Sequence, residues 1–328
     1  MPPQQASAAE PAAIGPRPLP PAAPGTATRP ACPWCGSTSL RTKVRATLVP
    51  GSPLEECRDC AHVFRGPTPT PTPDATPAAG HCARPAARSD RAHRAAARAL
   101  LPFGEPESWL DVGTGTARFP AAARSVHPYT AFDGVDGGHG AGAGADGARA
   151  LADGLLDEVH RGTLVELAPH LAGRYDVLSM FRHLERVPDP RAELRAGHRA
   201  LRPGGHLLVE GSDPLSRSAA LLGRWWAPYH RPGTRHLIPE ANLRRELRAL
   251  GYTVVLVDRR AAHQSAGPGA AVTLLLSRRR PTAGAPSGAA RTLLALGRAL
   301  DRVLAPVAAR TRFTNSYRVI ARRDAAPG

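Results

Sequence analysis

Short apolar runs alternate with helix-like patterns along the chain from about residue 105 onward. The runs that we predict as strands are Trp109–Val112, Tyr129–Asp136, Arg174–Phe181, His206–Glu210, Tyr252–Val257 and Ser316–Ala321. Between them, leucines recur at helical spacing, as at positions 243, 247 and 250 before a helix-ending Gly251. Alternating strands and helices of this kind predict an α/β fold.

The first predicted strand runs directly into a glycine turn, Asp111-Val-Gly113-Thr-Gly115-Thr-Ala117. Glycines at 113 and 115 permit a tight turn without a Cβ, so that a ligand can lie against the backbone. The small Ala117 lets the following helix pack close to its strand. A dinucleotide-binding loop needs Gly or Ala three residues after Gly115, where this chain has Arg118, so that class of loop does not fit.

An acidic residue ends the second predicted strand, 25 positions after Asp111. Asp136 closes the apolar run and is our preferred partner for a ribose diol, with Asp133 as the alternative. Further on, Leu184-Glu185-Arg-Val-Pro-Asp-Pro190 precedes a predicted helix that Asp189 can cap, with Pro190 at its first position. We expect Arg202-Pro-Gly-Gly205 to end that helix.

This order of motifs resembles that of class I S-adenosylmethionine-dependent methyltransferases, over about residues 90–260. The resemblance implies a Rossmann-like seven-stranded sheet with helices on both faces, and S-adenosylmethionine as the cofactor. The residues it implies as cofactor-binding are Asp111, Gly113, Gly115, Ala117, Asp136 and Phe181. It is closest to bacterial small-molecule methyltransferases with an N-terminal Cys-Pro-x-Cys-Gly zinc ribbon. Three departures are Ala117 for the usual third glycine, Thr114 where cysteine is common, and Arg182 and Arg186 where histidines are usual.

Two cysteine pairs near the N-terminus have the spacing of metal-binding knuckles. Cys32-Pro-Trp-Cys35 and Cys57-Arg-Asp-Cys60 are separated by 21 residues, which suits a tetrahedral structural zinc. Two disulfides or a redox dithiol are the alternatives, and the first is disfavoured because no secretion signal is recognisable. His62 is a weaker possible ligand, and Cys82 is expected to be a free thiol.

Composition shifts divide the chain into segments. We predict a disordered tail (1–30), a zinc ribbon (31–66), a Pro/Thr-rich linker (67–89) and a methyltransferase domain (90–328) with a helical insertion at about 262–312. The stiff linker leads us to expect that the ribbon sits apart from the domain. Apolar stretches are all shorter than a transmembrane helix, and we expect a cytoplasmic protein. The oligomeric state is not predicted.

The formal net charge is strongly positive, at +16, but the basic residues are scattered along the chain. Of 43 basic residues only Lys43 is a lysine, and the arginines occur in every segment without a block of like charges. This distribution favours biased composition over a nucleic-acid surface, although nucleic-acid binding stays possible.

Aromatic residues and histidines cluster after the predicted fifth strand, in a chain with few aromatics. We predict that Trp226, Tyr229 and His236 line the substrate, with His230 or His236 as weak candidates for a base; a packed surface loop is the alternative. The Gly/Ala-rich segment 137–148 is either a flap or, more simply, a low-complexity insertion.

Three functions remain open from the sequence. The preferred one is methylation of a small molecule, at O, N or C. The others are a ribosomal-RNA base methyltransferase whose zinc module grips RNA, and a non-catalytic zinc-ribbon adaptor with a degenerate methyltransferase domain.

Overall fold

The computed structural model describes residues 31–45, 53–66, 86–137, 145–231, 233–260 and 314–325, together with isolated positions between 262 and 299. The predicted tail, most of the linker with Cys82, most of the Gly/Ala-rich segment and most of the helical insertion lie outside the described residues. The described residues from Ala31 onward belong to one compact unit.

Two sheets contain all the strands of the described residues. The strands are β1 (Leu40–Val44), β2 (Leu54–Cys57), β3 (Val63–Arg65), β4 (Ser108–Val112), β5 (Ala131–Asp136), β6 (Glu158–Arg161), β7 (Tyr175–Phe181), β8 (Leu201–Ser212), β9 (His236–Leu237), β10 (Tyr252–Asp258) and β11 (Ser316–Arg323). The large sheet has the order β10-β11-β8-β7-β4-β5-β6, and the small one has the order β1-β2-β3-β9.

The large sheet is parallel except at one side. Strands β4 to β8 pair in parallel, while β11 runs antiparallel to both β8 and β10. This mixed seven-stranded sheet confirms the predicted Rossmann-like fold. Since β4, β5 and β7 are parallel neighbours, their carboxyl ends meet at one edge, where ligands bind in open α/β sheets.

Helices connect the strands of the large sheet. They are α1 (Ala86–Arg98), α2 (Arg118–Ala123), α3 (Ala145–Ala152), α4 (Leu164–Leu167), α5 (Pro190–Ala200), α6 (Arg217–Leu222) and α7 (Glu240–Ala249). The predicted cap of α5 is confirmed, because the Asp189 side chain accepts hydrogen bonds from the backbone N–H groups of Arg191 and Ala192 at 2.9 and 3.0 Å. Among the described helices, none has the length and apolar character that crossing a membrane requires.

Alternating side chains of the central strands build a separate core on each face of the sheet. Leu110 and Leu178 lie in one core with residues of α5 and α7, whereas Trp109 and Val177 lie in the other with residues of α1 and α2. One boundary differs from our expectation. The segment 202–205 lies within β8 as a bulge, since Tyr175 pairs with Leu201 and Val177 with His206.

Candidate functional site

The glycine turn follows β4 at the carboxyl edge of the sheet. The backbone N–H groups of Gly113 and Thr114 donate to the carbonyl of Val135 at 3.0 and 3.3 Å, which ties the turn to the neighbouring strand β5. Gly113 and Gly115 have φ of +74° and +49°. A Cβ built on Gly115 would meet nothing within 4 Å, so the backbone is open to a ligand there.

The residue before α2 shares this left-handed conformation although it is not glycine. Ala117 has φ of +52°, its side chain is buried, and its N–H donates to the carbonyl of Thr114 at 3.0 Å. A non-glycine residue in this region carries conformational strain. The third glycine of the resembled motif would relieve that strain, so the departure at 117 has an energetic cost in this chain.

Asp111 lies beneath the turn and not at its surface. Its Oδ1 accepts a 2.6 Å hydrogen bond from the hydroxyl of Ser179, which in turn accepts one from the Trp109 indole at 3.0 Å. Burial raises the pKa of Asp111 to about 7, against the opposing effect of the Ser179 hydrogen bond. The carboxyl group therefore supports the loop from inside the protein.

The two candidate ribose acids occupy different surroundings. Asp136 is half-buried at the end of β5, and a Cβ on Gly147 of α3 would lie 3.0 Å from its Oδ2. Asp133 lies within the strand, where the hydroxyl of Tyr175 donates to its Oδ2 at 2.8 Å and accepts from His160 Nε2 at 2.8 Å. Asp136 is the residue at the carboxyl end of β5, so its position is the better one for a ligand at that edge of the sheet.

A histidine that our sequence reasoning missed lies against the turn. His183 follows β7, and a Cβ built on Gly113 would lie 2.7 Å from its Nδ1. Its Nε2 is 3.2 Å from Oε2 of the buried Glu193 on α5. The preceding Arg182 has φ of +55°. The available signal was a histidine directly after a strand that ends beside the glycine turn. Phe181, the last residue of that strand, is half-buried, and its ring centre lies 4.5 Å from that of Phe119 at an interplanar angle of 42°.

The four knuckle cysteines converge on one point. Cys32 Sγ lies 3.7 Å from Cys60 Sγ, Cys35 Sγ lies 3.6 Å from Cys57 Sγ, and all four sulfurs are within 4.8 Å of one another. Four thiolates around zinc at about 2.3 Å would be about 3.8 Å apart at tetrahedral corners. The four cysteines form no disulfide. The cluster therefore has the dimensions of a tetrahedral metal centre. His62, the weaker candidate, has its Nδ1 3.7 Å from Cys32 Sγ and lies outside the four-sulfur group.

The predicted aromatic wall packs against this ribbon. Trp226 and Tyr229 are fully buried in one cluster with Val44, Leu54 and Val63 of the ribbon. We call this cluster, together with Ala219 and Leu237, the ribbon junction. The Trp226 indole also donates to Asn315 Oδ1 at 2.8 Å. A role of Trp226 and Tyr229 in lining a substrate stays a prediction, and this packing disfavours it.

The ribbon itself does not sit apart from the large sheet, so that expectation is wrong. Strand β3 pairs with β9, with Phe64 opposite His236 and Val63 opposite Leu237. In turn, the N–H of His236 donates to the carbonyl of Glu185 at 3.0 Å. Because Glu185 belongs to the loop after β7, the ribbon is joined through β9 to the carboxyl edge of the sheet.

The two candidate bases of the aromatic segment are both buried. His230 Nε2 is bonded to the carbonyl of Arg224 at 2.7 Å, and His236 Nε2 to that of Pro188 at 3.2 Å. The His236 ring stacks on His62 of the ribbon at 5.3 Å. Burial lowers the pKa of His236 to about 4, so this ring is neutral in its present surroundings.

Comparison with known proteins agrees with the geometry at the carboxyl edge. A family model described as a methyltransferase domain matches residues 85–257, which is just over half of the chain. The chain belongs to this methyltransferase family. The match contains the glycine turn, Asp136 and His183, whereas the cysteine cluster lies outside it.

Named relatives of this methyltransferase align over a short stretch. The ubiquinone biosynthesis O-methyltransferase of Marinobacter nauticus is 39% identical over 77 residues, which is 22% of this chain and 32% of the relative. That of Acinetobacter baumannii is 30% identical over 95 residues, which is 27% of this chain and 40% of the relative. The chain thus spans about a third of the length of these relatives.

Solved structures with a similar fold are more distant in sequence. Magnesium protoporphyrin IX methyltransferase from Synechocystis has a TM-score of 0.45 and 13% identity, over 73% of this chain and 84% of that one. A chain in the complex between the Haloferax volcanii Trm112 methyltransferase activator and the putative methyltransferase has a TM-score of 0.47 and 19% identity, over 74% and 93%.

Proposed function

We propose that this methyltransferase transfers a methyl group from S-adenosylmethionine to a hydroxyl group of a small molecule. The observation that carries the proposal is the glycine turn, which opens its backbone at Gly115 next to Asp136 at the carboxyl edge of the sheet. The names of the aligned relatives favour an oxygen acceptor over nitrogen or carbon.

We assign the methionine moiety and the ribose of the cofactor to groups in this arrangement. The methionine moiety would lie on the backbone of Gly113 and Gly115, and Asp136 would accept hydrogen bonds from the ribose hydroxyls. Phe181 would border the site, while Asp111 and Ala117 would support the turn from within. The cofactor supplies an activated methyl group, so the protein mainly aligns the acceptor and excludes water.

We propose further that Cys32, Cys35, Cys57 and Cys60 hold a structural Zn²⁺. All four sulfurs lie within 4.8 Å of one another, and four thiolates this close together need a cation among them. We also propose a cytoplasmic location, because cysteine pairs that bind a metal are typical of reducing compartments.

The ribbon contacts favour a small molecule over RNA. Arg41 and Lys43 pair with Glu56 at 2.7 and 3.1 Å, and Arg65 donates to the carbonyl of Thr234 at 3.2 Å. These cations are used within the chain, whereas an RNA grip would direct them at phosphates. The intact glycine turn disfavours the non-catalytic adaptor.

Calorimetric titration with S-adenosylmethionine tests the cofactor proposal. We expect binding of the wild type in the range of about 1 μM to 1 mM that enzyme sites show. Gly115→Val should abolish the binding heat, because it puts a branched side chain where the ligand lies. Gly173→Val is the matched control, since Gly173 has a similar φ of +65°, equal space around it, and a position at the opposite edge of the sheet.

The control separates loss of ligand space from backbone strain, because valine is strained at both positions. If the folded wild type gives no binding heat, the cofactor proposal fails. If Gly173→Val loses binding as completely as Gly115→Val, the loss reports strain, and the turn is not the binding site.

A further inference from the structure

The pair formed by His183 and Glu193 has the form of an oriented base. His183 Nε2 lies 3.2 Å from Glu193 Oε2. A carboxylate only accepts hydrogen bonds, so Nε2 carries the ring proton and Nδ1 keeps its lone pair. Glu193 is held firmly, since its side chain is 5% exposed and it lies in the first turn of the capped helix α5.

Nδ1 is the His183 ring atom that lies nearest to the glycine turn. The built Cβ of Gly113 would lie 2.7 Å from Nδ1 and 3.7 Å from Cε1, so the ring rests on the backbone of the glycine turn. Within the described part of the chain, Nδ1 has no hydrogen-bond partner. The His183 side chain is 15% exposed, so part of the ring is accessible to solvent.

The backbone around this histidine is constrained. Arg182 has φ of +55°, and its N–H donates to the carbonyl of Glu210 at 2.9 Å. The carbonyl of His183 accepts from the N–H of Arg186 at 2.9 Å, which closes a turn. Strained backbone of this kind is typical of sites where a side chain is held in a functional orientation.

The other candidate histidines lack this combination. His230 and His236 are buried, and each is bonded through Nε2 to a backbone carbonyl. A carbonyl partner carries no full charge to stabilise an imidazolium, whereas the Glu193 carboxylate does. Among these three rings, His183 is the one that combines access, a carboxylate and a free ring nitrogen.

We propose that His183 is the general base for the acceptor and that Glu193 is its positioning residue. The inference rests on the proposed function. As the acceptor oxygen bonds to the methyl carbon, the bond from that carbon to sulfur breaks and its electron pair stays on sulfur. The hydroxyl proton moves to His183 Nδ1, and the imidazolium is stabilised by Glu193 until it releases the proton to water.

Three variants test this assignment. His183→Gln removes the base, and Glu193→Gln removes the orienting charge. His198→Gln is the control, because His198 also lies on α5 but its ring packs on Tyr252, with the ring centres 5.1 Å apart. We would measure three quantities for each protein: calorimetric affinity for S-adenosylmethionine, the rate of methyl transfer to catechol at saturating cofactor, and the histidine tautomer by ¹⁵N NMR.

We expect His183→Gln to slow transfer by about 100-fold or more, as general-base removal does, with cofactor affinity within about threefold of wild type. Glu193→Gln should slow transfer less and should reduce the Nε2–H tautomer of His183. His198→Gln should leave the rate, the affinity and the His183 tautomer unchanged.

Several results would overturn the assignment. One is His183→Gln transferring at a rate close to wild type. Another is a loss of cofactor affinity that accounts for the whole loss of rate, which would make the histidine a cofactor contact. The tautomer measurement needs no acceptor, so a wild-type His183 protonated at Nδ1 overturns the proposal even if catechol is not methylated. Wild-type protein that does not bind S-adenosylmethionine instead refutes the proposed function.

Discussion

The glycine turn and the ribbon junction are both connected to the carboxyl edge of the large sheet, yet they are stabilised in opposite ways. The turn is local: seven consecutive residues, 111–117, form it, and backbone hydrogen bonds to Val135 hold it. The junction is non-local, because the ribbon side chains that pack on Trp226 and Tyr229 come from residues more than 150 positions earlier.

The difference shows why the aromatic-rich segment and the glycine-rich segment carry different weight as predictors of ligand contact. The turn leaves its backbone open at Gly115, as ligand binding requires. The junction instead hides its aromatic rings, since the ribbon is too small to form a full core alone and buries its apolar side chains against them. Aromatic residues near an active edge therefore indicate ligand contact only if no other part of the chain covers them.

Metal removal should break the junction most severely. Chelation of zinc should unfold the ribbon, because zinc supplies an apparent ~10–16 kcal/mol in zinc-finger peptides. Loss of the pairing of β3 with β9 would then expose Trp226, and we expect a red shift of tryptophan emission together with loss of one zinc per chain. Cys82→Ser is the control and should keep the metal. Metal-free protein with unshifted emission would contradict a structural zinc.

Substitution of one buried tryptophan tests the junction without touching the metal. Trp226→Ala should lower the free energy of unfolding by about 3–5 kcal/mol, as loss of a buried aromatic does, and should leave S-adenosylmethionine affinity within a few-fold. Trp225→Ala is the matched control, because Trp225 is half-exposed and its ring centre lies 5.0 Å from the Arg224 guanidinium carbon. Equal losses of unfolding free energy for the Trp226 and Trp225 variants, measured by denaturant titration, would contradict the difference in their burial.

The pH dependence of stability tests the interior of the turn. Because the pKa of Asp111 is raised from 3.8 to about 7, folding favours the protonated form, and this contribution is present below pH 4 and lost as the pH rises through 7. That rise corresponds to about 4 kcal/mol. Relative to Asp111→Asn, ligand-free wild type should lose about that much unfolding free energy between pH 4 and pH 8.

The exposed Asp153 at the end of α3 provides the control for this comparison. Asp153→Asn should follow the wild-type pH profile of stability. Parallel profiles for wild type and Asp111→Asn would show that Asp111 ionises without cost, in contradiction to its burial.

The smallest expected effect is at the start of α2. Ala117→Gly should raise the free energy of unfolding by about 1 kcal/mol, because glycine is unstrained at φ of +52°. Ala121→Gly, at an exposed helical position of α2, should lower it by about 1 kcal/mol. Thermal unfolding of the two variants measures both changes in stability. A loss of stability in both variants would contradict the strain at Ala117.

Much of the fold and part of the candidate site could be predicted because the signals are local. The strand, glycine turn and helix at 109–123 depend on neighbours in sequence, as does the cap of α5 by Asp189. The cysteine cluster was also predictable, since each knuckle brings two ligands together by itself and only the two knuckles have to meet.

Other features were decided by the tertiary structure alone. The short strand β6 carries too few residues for a periodic signal. The pairing of His183 with Glu193 joins a loop to a helix face, and its position on Gly113 depends on which strands are neighbours in the sheet. The burial of Asp111 likewise follows from the network beneath the turn.

The docking of the ribbon is the clearest example of a feature that the sequence could not predict. The sequence by itself determined that a four-cysteine ribbon precedes a methyltransferase-type α/β domain, because hydrogen bonding, periodicity and cysteine spacing act over a few residues. Only the tertiary structure decided that β3 pairs with β9 and that the ribbon covers Trp226 and Tyr229. Burial of apolar surface depends on complementary shape between distant segments, and shape complementarity leaves no local pattern in the sequence.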